Sequence, residues 1–293
     1  MKEFLTEIVK ARVSEEGWTW LKKVLQAASA PMPVNQLMGS YTGASRKLGK
    51  HALLLDEPEK KHLHSLNPEL PLDHWGVDEA ARAVLLLSLA HLPSDRYAEL
   101  VLQCYEYGDS REQQSWLRAL SLLPDCEHFL ATAVDACRTN IIPLFEAIAC
   151  ENPYPARHFP ELNFNQMVMK SLFSGIALQR IVGLESRFNR ELSRMADDYV
   201  SEREAAGREV PSDIWLVLTP HIASDRKRRV YRYLHHEDPD HRYWAAVSLG
   251  YTRDPESCTE LEKRTEVETD HRVVKAINTS LVKILACIPH TGS

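Results

Sequence analysis

Apolar residues recur at helical spacing along most of the chain. In the stretch "SREQQSWLRALSLLP", Trp116, Leu117, Leu120 and Leu123 follow an i, i+1, i+4, i+7 pattern, which places them on one face of a helix. Alternating strand patterns bounded by hairpin turns are hard to find. The 11 glycines and 16 prolines are spread along the sequence, as expected for helices of ordinary length joined by short turns. The sequence therefore predicts an all-α fold.

The positions of the helices follow from this periodicity and from the breaks in it. The segment 51–76 contains Pro58, Pro68 and Pro71 and little regular pattern, so it is predicted to be a long wrapped loop. The longest apolar run, 83–92, is about half as long as a bilayer span and is predicted to be a buried helix. We expect helices at 3–12, 15–28, 34–48, 77–92, 95–107, 110–123, 127–139, 141–150, 162–174, 188–206, 212–220, 225–235, 240–250, 256–265 and 271–287.

Two of the predicted helices resemble each other. "DPDHRYWAAVSLG" and "TDHRVVKAINTS" align Asp240 and Arg242 with Asp270 and Arg272, and "GDSREQQSWLRALSLLP" is a looser copy with Asp109 and Arg111. An aspartate at this position can cap a helix, and the arginine two residues later can reach an acidic group of a neighbouring repeat. In the two aligned helices, the small residues Ala246 and Ala276 would let adjacent helices approach closely.

The similarity predicts helical hairpins stacked in a HEAT-like superhelix with an irregular proline-rich insert; an irregular helical bundle is the alternative. We expect a single elongated helical domain, 1–293. Its predicted parts are N-terminal helices and the wrapped loop (1–76), helical repeats (77–150), an insert region (151–215) and C-terminal HEAT-like repeats (216–293).

Charge and cysteine usage limit the class of protein. The chain has 35 basic and 41 acidic residues and a net charge of −6, which does not indicate a nucleic-acid binder. Its N-terminal sequence is amphipathic and lacks the unbroken apolar centre of a signal peptide. The cysteines lie far apart, so we expect reduced, mostly packed thiols in a cytoplasmic protein: Cys104, Cys126, Cys137, Cys150, Cys258 and Cys287.

The stretch 151–173, "ENPYPARHFPELNFNQMVMKSLF", opens with a segment, 151–160, that interrupts the helical pattern with three prolines beside Tyr154 and Phe159. Proline disfavours helix in the residue before it, so Asn152, Tyr154 and Phe159 are expected to be extended and 151–160 to be a stiff, non-helical crossing. The residues that follow have helical spacing again. They predict an apolar face made of Phe164, Met167, Val168, Ser171 and Leu172, and a separate polar face made of Asn163, Gln166 and Lys170.

If the aromatic residues fold over that polar face, the two would enclose a pocket with aromatic walls and hydrogen-bond donors. Such a pocket suits a small polar or anionic organic molecule. In the alternative, the prolines end one helix and the aromatic rings fill the core at a corner of the chain. The ligand-binding residues predicted for the pocket are Tyr154, Arg157, His158, Phe159, Glu161, Asn163, Gln166 and Lys170.

The same stretch, continued by "RIVGLESRFNRELSRMADDYVSEREAAGREVPSDIW", resembles the central segment of the EboA-type metabolite-traffic family. The resemblance covers about 151–215. It implies a bacterial protein encoded beside a UbiA-like prenyltransferase and sugar- or metal-related enzymes, in clusters that move secondary-metabolite precursors toward the periplasm. Its implied partners are a small metabolite or proteins of a metabolite-export gene cluster. The resemblance assigns no catalytic residue.

For two other charged clusters we favour an interpretation that involves no binding site. "YLHHEDPDHRYW" gathers several potential metal ligands, but their spacing matches no specific metal motif, and we interpret the segment as a solvated loop. The second cluster, in "SDRKRRVYRYLHH", could contact anionic lipid or an acidic partner; an ion-paired helix face is the favoured alternative. Its residues are Arg226, Arg228, Arg229 and Arg232.

The sequence contains no nucleophile elbow, phosphate-binding loop or paired cysteine ligands, so no catalytic residue, metal or cofactor is predicted. We therefore expect a non-enzymatic helical-repeat protein that binds a small metabolite or an export partner through 151–170. One alternative is an enzyme that uses His158, Glu161 and Lys170 as acid-base groups. Another is a peripheral membrane adaptor that docks through the arginine cluster.

Overall fold

A computed structural model describes residues 1–30, 32–223, 226–252 and 254–286. In these ranges all regular secondary structure is helical, apart from one antiparallel bridge between Ala52 and Gly76. The all-α prediction is confirmed. Cys287, one of the cysteines predicted to be reduced, lies outside the described residues.

Short 3-10 turns lie between some of the α-helices. The α-helices are α1 (Lys2–Arg12), α2 (Glu15–Ala28), α3 (Val34–Leu48), α4 (Glu57–Leu66), α5 (Val77–Ser88), α6 (Ser94–Glu106), α7 (Ser110–Ala119), α8 (Leu130–Ala136), α9 (Ile142–Ala149), α10 (Tyr154–His158), α11 (Glu161–Phe173), α12 (Arg190–Ala205), α13 (Trp215–Leu218), α14 (Lys227–Tyr233), α15 (Pro239–Leu249), α16 (Pro255–Thr265) and α17 (His271–Leu285). The 3-10 turns are Leu120–Leu122, Cys126–Phe129, Leu178–Arg180, Leu184–Arg187, Ser212–Ile214 and Thr219–His221.

Within the described ranges, no helix combines the length and the apolar composition that a bilayer crossing requires. The run 83–92 belongs to α5 and the turn after it, and Val84, Leu85 and Leu86 are buried. The prediction of a buried helix at this position is confirmed.

The contacts of the chain group into two compact units. Unit 1 comprises Met1–Phe164 and Arg180–Gly183; unit 2 comprises Asn165–Gln179 and the described residues from Leu184 onward. The division falls inside α11, between Phe164 and Asn165. The expected single elongated domain stays a prediction.

Helix α5 forms the centre of unit 1, where it packs against α1, α2, α3 and α7. It is buried on every side, so its polar residues must find partners inside the protein. Asp78 accepts hydrogen bonds from Arg82 (2.8 Å), Arg111 (2.6 and 2.7 Å) and Ser45 (2.6 Å). Burial alone would raise the pKa of Asp78, but the hydrogen bonds from Arg111, Ser45 and Arg82 outweigh it and lower that pKa to about 2.

In unit 2, α17 packs along α15 and against α16. Ala246 and Ala276 are buried, as their small size predicts for closely packed helices. Gly250 extends this close approach, because a Cβ atom added there would lie 2.7 Å from Ser280 Oγ and 3.1 Å from Ser280 Cα.

The three Asp-x-Arg segments behave nearly as predicted. Each arginine reaches an acidic residue elsewhere in its unit: the pairs are Arg111 with Asp78, Arg242 with Glu268, and Arg272 with Asp240. The aspartates Asp109 and Asp270 cap α7 and α17. The cap predicted at Asp240 is wrong, because α15 begins one residue earlier at Pro239 and Asp238 caps it.

The predicted loop 51–76 contains a helix, so the prediction is wrong for Glu57–Leu66. Pro58 lies in the first turn of α4, where a proline lacks only an N–H group that the helix leaves unpaired. Asp56 and Glu59 form a reciprocal capping box that fixes the start of this helix. Asp56 and Glu59 have the spacing of a capping box and so indicate a helix start in the sequence. The prolines of the segment indicate a loop instead, and the prediction followed them.

Candidate functional site

The segment predicted to be a non-helical crossing contains the short helix α10, so that prediction is wrong for Tyr154–His158. Pro155 lies in the first turn, as Pro58 does in α4. The extended conformation predicted for Phe159 is confirmed, with φ −69° and ψ 137°. A single helical turn therefore carries the predicted site residues from Tyr154 to His158.

The two aromatic rings of this segment are buried in unit 1. Tyr154 is 0 % exposed and Phe159 is 4 % exposed, and their rings meet edge to face. The Tyr154 hydroxyl donates to the Cys126 carbonyl at 2.8 Å, and its ring stacks on His158 at 4.6 Å. Burial raises the pKa of Tyr154, which keeps this donor protonated. In this structure the rings fill the interior, which corrects their predicted role as exposed pocket walls.

Asn152 anchors the segment and was missed as a functional residue by the sequence analysis. It is 1 % exposed, and its side-chain amide donates to the carbonyls of Leu117 (2.9 Å) and Ala147 (3.1 Å). Its side-chain oxygen accepts from the Tyr154 N–H at 3.0 Å, which starts α10. Asn152 therefore fixes the direction in which Arg157 and His158 leave the helix.

Arg157 points away from this buried cluster and forms an exposed ion pair with Glu69. Its Nε and Nη2 atoms lie 3.1 and 2.6 Å from Glu69 Oε2. Glu69 belongs to the segment after α4, 88 residues away in the sequence. The pair connects the insert to a cavity that the sequence did not reveal.

That cavity, here called the α4 cavity, has a volume of about 550 Å³ and lies entirely within unit 1. Its floor is apolar and includes the buried side chains of Leu63, Leu70 and Leu72. Charged and polar residues surround it, and its mouth is open. The complete lining is Leu55, Lys60, Leu63, His64, Asn67, Pro68, Glu69, Leu70, Pro71, Leu72, Asp73 and Val182.

The apolar face predicted for α11 is confirmed, since all of its predicted members are buried: Phe164, Met167, Val168, Ser171 and Leu172. On the predicted polar face Gln166 is exposed, and Asn163 and Lys170 are half-buried. Glu161 is exposed at the start of the helix. Glu161 and Asn163 belong to unit 1, and Gln166 and Lys170 belong to unit 2. Their role as ligand contacts stays a prediction.

His158 lies beside residues that the sequence analysis did not connect with it. Its Nε2 atom is 3.5 Å from Cys126 Sγ, and the Glu127 carboxylate is adjacent. Burial raises the pKa of the Cys126 thiol. The cysteine and the histidine are 32 residues apart, so sequence spacing contains no signal for this contact.

The arginine cluster of α14 is largely ion-paired, as the favoured interpretation predicted. Arg226 and Arg229 both contact Asp197, and Arg232 contacts Glu204 at 2.5 Å. Of the four arginines, Arg228 alone has no ion pair among the described residues. The proposed contact with a membrane or partner stays a prediction.

The histidine-rich segment 233–244 extends into α15 and is not simply a solvated loop, which corrects that interpretation for His241. His241 is 7 % exposed and accepts a hydrogen bond at Nδ1 from the Trp215 indole at 3.0 Å. Its ring also packs against Tyr233 and His236. Burial, together with the nearby His236, lowers the pKa of His241. Among the described residues, the segment brings no three metal-ligating side chains together.

Unit 2 contains a second concave surface, here called the α15–α17 groove, with a volume of about 600 Å³. Tyr243 and Trp244 contribute aromatic surface, and the Nζ atom of Lys283 lies 4.2 Å from the centre of the Tyr251 ring. The groove combines aromatic walls with cationic donors, the chemistry that was predicted for the insert. Its lining is Gln179, Asp240, Tyr243, Trp244, Val247, Arg272, Lys275, Ala276, Thr279, Ser280 and Lys283.

Comparison with known proteins identifies the family of the chain. A family model described as "Metabolite traffic protein EboA" matches residues 1–219. Neither the curated proteins nor the solved structures include a match. The matched range contains α10, the α4 cavity and the cluster around Cys126, whereas α15 and α17 lie beyond it.

Proposed function

We propose that this chain, which belongs to the EboA metabolite traffic protein family, binds a small metabolite in the α4 cavity during the traffic of a secondary-metabolite precursor. The observation that carries the proposal is an open, apolar cavity inside the family-matched range. Its volume of about 550 Å³ falls within the range of small-molecule sites in proteins. The proposed role is non-enzymatic and requires no cofactor.

The lining indicates the chemistry of the ligand. An apolar floor favours a hydrocarbon or aromatic body, because burying that surface removes it from water. The charged residues at the mouth favour a polar head group at the opposite end of the molecule. Arg157 is the residue we assign to an anionic head group, which would replace the Glu69 carboxylate as the partner of this exposed guanidinium. The proposed ligand is therefore an amphiphilic metabolite, with its head group at the Arg157–Glu69 pair.

The remaining predicted site residues have different roles in this proposal. Tyr154, His158 and Phe159 support α10 by packing, and so position Arg157. Glu161, Asn163, Gln166 and Lys170 are proposed contacts for the metabolite or for a protein of the export cluster. We also propose that the helical hairpins stack in a HEAT-like arrangement. The described cysteines are present as thiols and not as disulfides, which supports a cytoplasmic location.

The apolar, anionic dye 1-anilinonaphthalene-8-sulfonate is a suitable probe of the cavity, because its two ends mimic the proposed ligand. We expect Leu55→Glu, which places a negative charge in the lining, to weaken binding of the dye, and Arg157→Gln to weaken it less. The matched control is Leu162→Glu, because Leu162 is 59 % exposed on α11 and does not line the cavity. Equal binding by Leu55→Glu and Leu162→Glu would contradict the proposal.

Native mass spectrometry of the protein purified from cells tests whether a metabolite is bound. We expect a small molecule to copurify with the natural chain and with Leu162→Glu, and to be lost from Leu55→Glu. A molecule retained equally by all three proteins would place the binding site elsewhere. Asn163→Ala tests the polar face of α11 in the same experiment.

The membrane-adaptor alternative depends on Arg228, the arginine of the cluster without an ion pair among the described residues. It predicts salt-sensitive sedimentation with phosphatidylserine vesicles that Arg228→Gln reduces. Arg226, Arg229 and Arg232 are poorer test positions, because each neutralises an acidic residue of α12. Sedimentation that is unaffected by salt would exclude this alternative.

A further inference from the structure

Three potential metal ligands converge at the edge of α10. Cys126 Sγ, a carboxylate oxygen of Glu127 and a ring nitrogen of His158 all lie within 4.8 Å of one another. Cys126 and His158 are half-buried and Glu127 is exposed, so the cluster is open to ions from solvent. All three residues belong to unit 1.

The separation of the sulfur and nitrogen atoms matches a tetrahedral zinc site. Zinc lies about 2.3 Å from a thiolate sulfur and about 2.0–2.1 Å from an imidazole nitrogen, so at a tetrahedral angle these two atoms are about 3.5 Å apart. The distance between Cys126 Sγ and His158 Nε2 is 3.5 Å. An ion could therefore bind both ligands without a change in the backbone.

We propose that Cys126, Glu127 and His158 bind a divalent transition-metal ion of the zinc type. Thiolate, imidazole and carboxylate together suit zinc, and a thiolate disfavours magnesium and calcium, which prefer oxygen ligands. Three protein ligands leave a fourth position for water or for an anionic group of a ligand. On binding, the Cys126 thiol gives its proton to solvent and its sulfur coordinates the ion as a thiolate.

Tyr154 holds both halves of this site in place. Its hydroxyl bonds the carbonyl of Cys126 (2.8 Å), and its ring stacks on the imidazole of His158 (4.6 Å). On the other side, Asp125 adopts a left-handed conformation (φ 47°) just before Cys126 and accepts a hydrogen bond from Ser94 Oγ at 2.7 Å. These contacts fix the two strongest ligands before any ion arrives, which lowers the cost of ordering them. Tyr154 is thus a positioning residue for the metal.

Titration of the full-length protein with Co²⁺ tests the site, because a cobalt–thiolate bond gives a charge-transfer band in the near ultraviolet. We expect one equivalent of Co²⁺ to produce this band and one equivalent of Zn²⁺ to abolish it. Cys126→Ser and His158→Ala should remove the band. Glu127→Gln, at an exposed position, should weaken Co²⁺ binding without affecting folding.

The matched control is Cys137→Ser, which removes another half-buried thiol of unit 1 whose sulfur bonds the carbonyl of Ala133 at 3.6 Å. It should leave the charge-transfer band unchanged. The proposal is overturned if Co²⁺ binds without this band, if the band persists in both Glu127→Gln and His158→Ala at natural affinity, or if no ion binds at micromolar concentration. In the last case Cys126 and His158 form only a thiol–imidazole hydrogen bond.

The proposals for the metal site and for the α4 cavity can be tested independently. Leu55→Glu should leave cobalt binding intact, and Cys126→Ser should leave binding of the naphthalene dye intact. A variant of either kind that loses both signals would indicate misfolding, which circular dichroism would detect separately.

Discussion

The start of α7 in unit 1 and the start of α17 in unit 2 have the same Asp-x-Arg pattern, but their arginines end in different surroundings. Arg111 contacts Asp78, whose side chain is 0 % exposed, at 2.6 Å. Arg272 contacts Asp240 at 3.0 Å, and both of these side chains are more than half exposed. The sequence pattern predicts the contact in both places. The burial of the acidic partner decides how much the contact stabilises the protein.

Arg242 resembles Arg111, because its acidic partner is also buried. Its guanidinium bonds both oxygens of Glu268 at 2.8 and 3.0 Å, and the Glu268 side chain is fully buried. Arg264 donates to the same carboxylate at 2.9 Å. Two arginines thus surround one buried acid in unit 2, as Arg82 and Arg111 do around Asp78 in unit 1.

The largest expected effect is that of Asp78→Asn. The amide cannot neutralise Arg82 and Arg111, which leaves buried positive charge without compensation, so we expect the free energy of unfolding to fall by about 3–5 kcal/mol. Urea titration followed by circular dichroism measures it. The matched control is Asp135→Asn, at an exposed pair with Arg138, which should leave the transition in place. Equal effects of the two substitutions would contradict the expectation that a buried acidic partner stabilises the protein more than an exposed one.

Glu268→Gln tests the same principle in unit 2. We expect a loss of about 2 kcal/mol, because one oxygen of the amide still accepts hydrogen bonds while the charges of Arg242 and Arg264 lose their partner. The measurement is again urea titration. Glu260→Gln, at a surface pair with Lys263 on α16, is the control and should have little effect.

Acid should remove the contributions of both buried carboxylates. Hydrogen bonds from arginine and other donors lower the pKa of Asp78 and of Glu268 to about 2, below their ordinary values of 3.8 and 4.5. Since the folded pKa lies below the unfolded one, the stabilisation is complete above about pH 5 and is lost as the pH falls from about 4 to about 2. The unfolding midpoint measured across this range should depend less on pH in Asp78→Asn than in the natural chain.

The smallest effect is expected for Arg272→Gln. Water solvates both members of its pair with Asp240, so we expect the unfolding midpoint to stay close to that of the natural chain. A shift as large as that of Glu268→Gln would show that exposure is a poor guide to the strength of these pairs. Comparing the two variants at low and high salt sharpens the test, because salt screens the exposed pair first.

Much of the fold could be predicted because local patterns determine it. The apolar face of α11 and the arginine contacts of α7, α15 and α17 follow from helical spacing and side-chain length. The errors at α4 and α10 have one cause. From the sequence, Pro58 and Pro155 predict breaks in the helical pattern. In the structure both lie in the first turn of a helix, where proline is tolerated.

The candidate sites were harder to predict, because they depend on contacts between distant parts of the sequence. Cys126 meets His158, and Arg157 meets Glu69, across 32 and 88 residues respectively. Tyr154 shows a different difficulty, since aromatic residues beside prolines are compatible with an exposed pocket wall and with a filled core. Burial distinguishes these two roles, and one sequence alone does not show it.

The hydrogen bond from Trp215 to His241 has an optical consequence. A protonated imidazole quenches the fluorescence of an adjacent indole by accepting an electron from its excited state, whereas the neutral ring does so only weakly. The emission of Trp215 should therefore dim when His241 gains a proton. Trp116 bonds the Val101 carbonyl, which does not titrate, so its emission should not change with this protonation. The fluorescence of Trp215 should therefore report the protonation of His241, a buried side chain of unit 2.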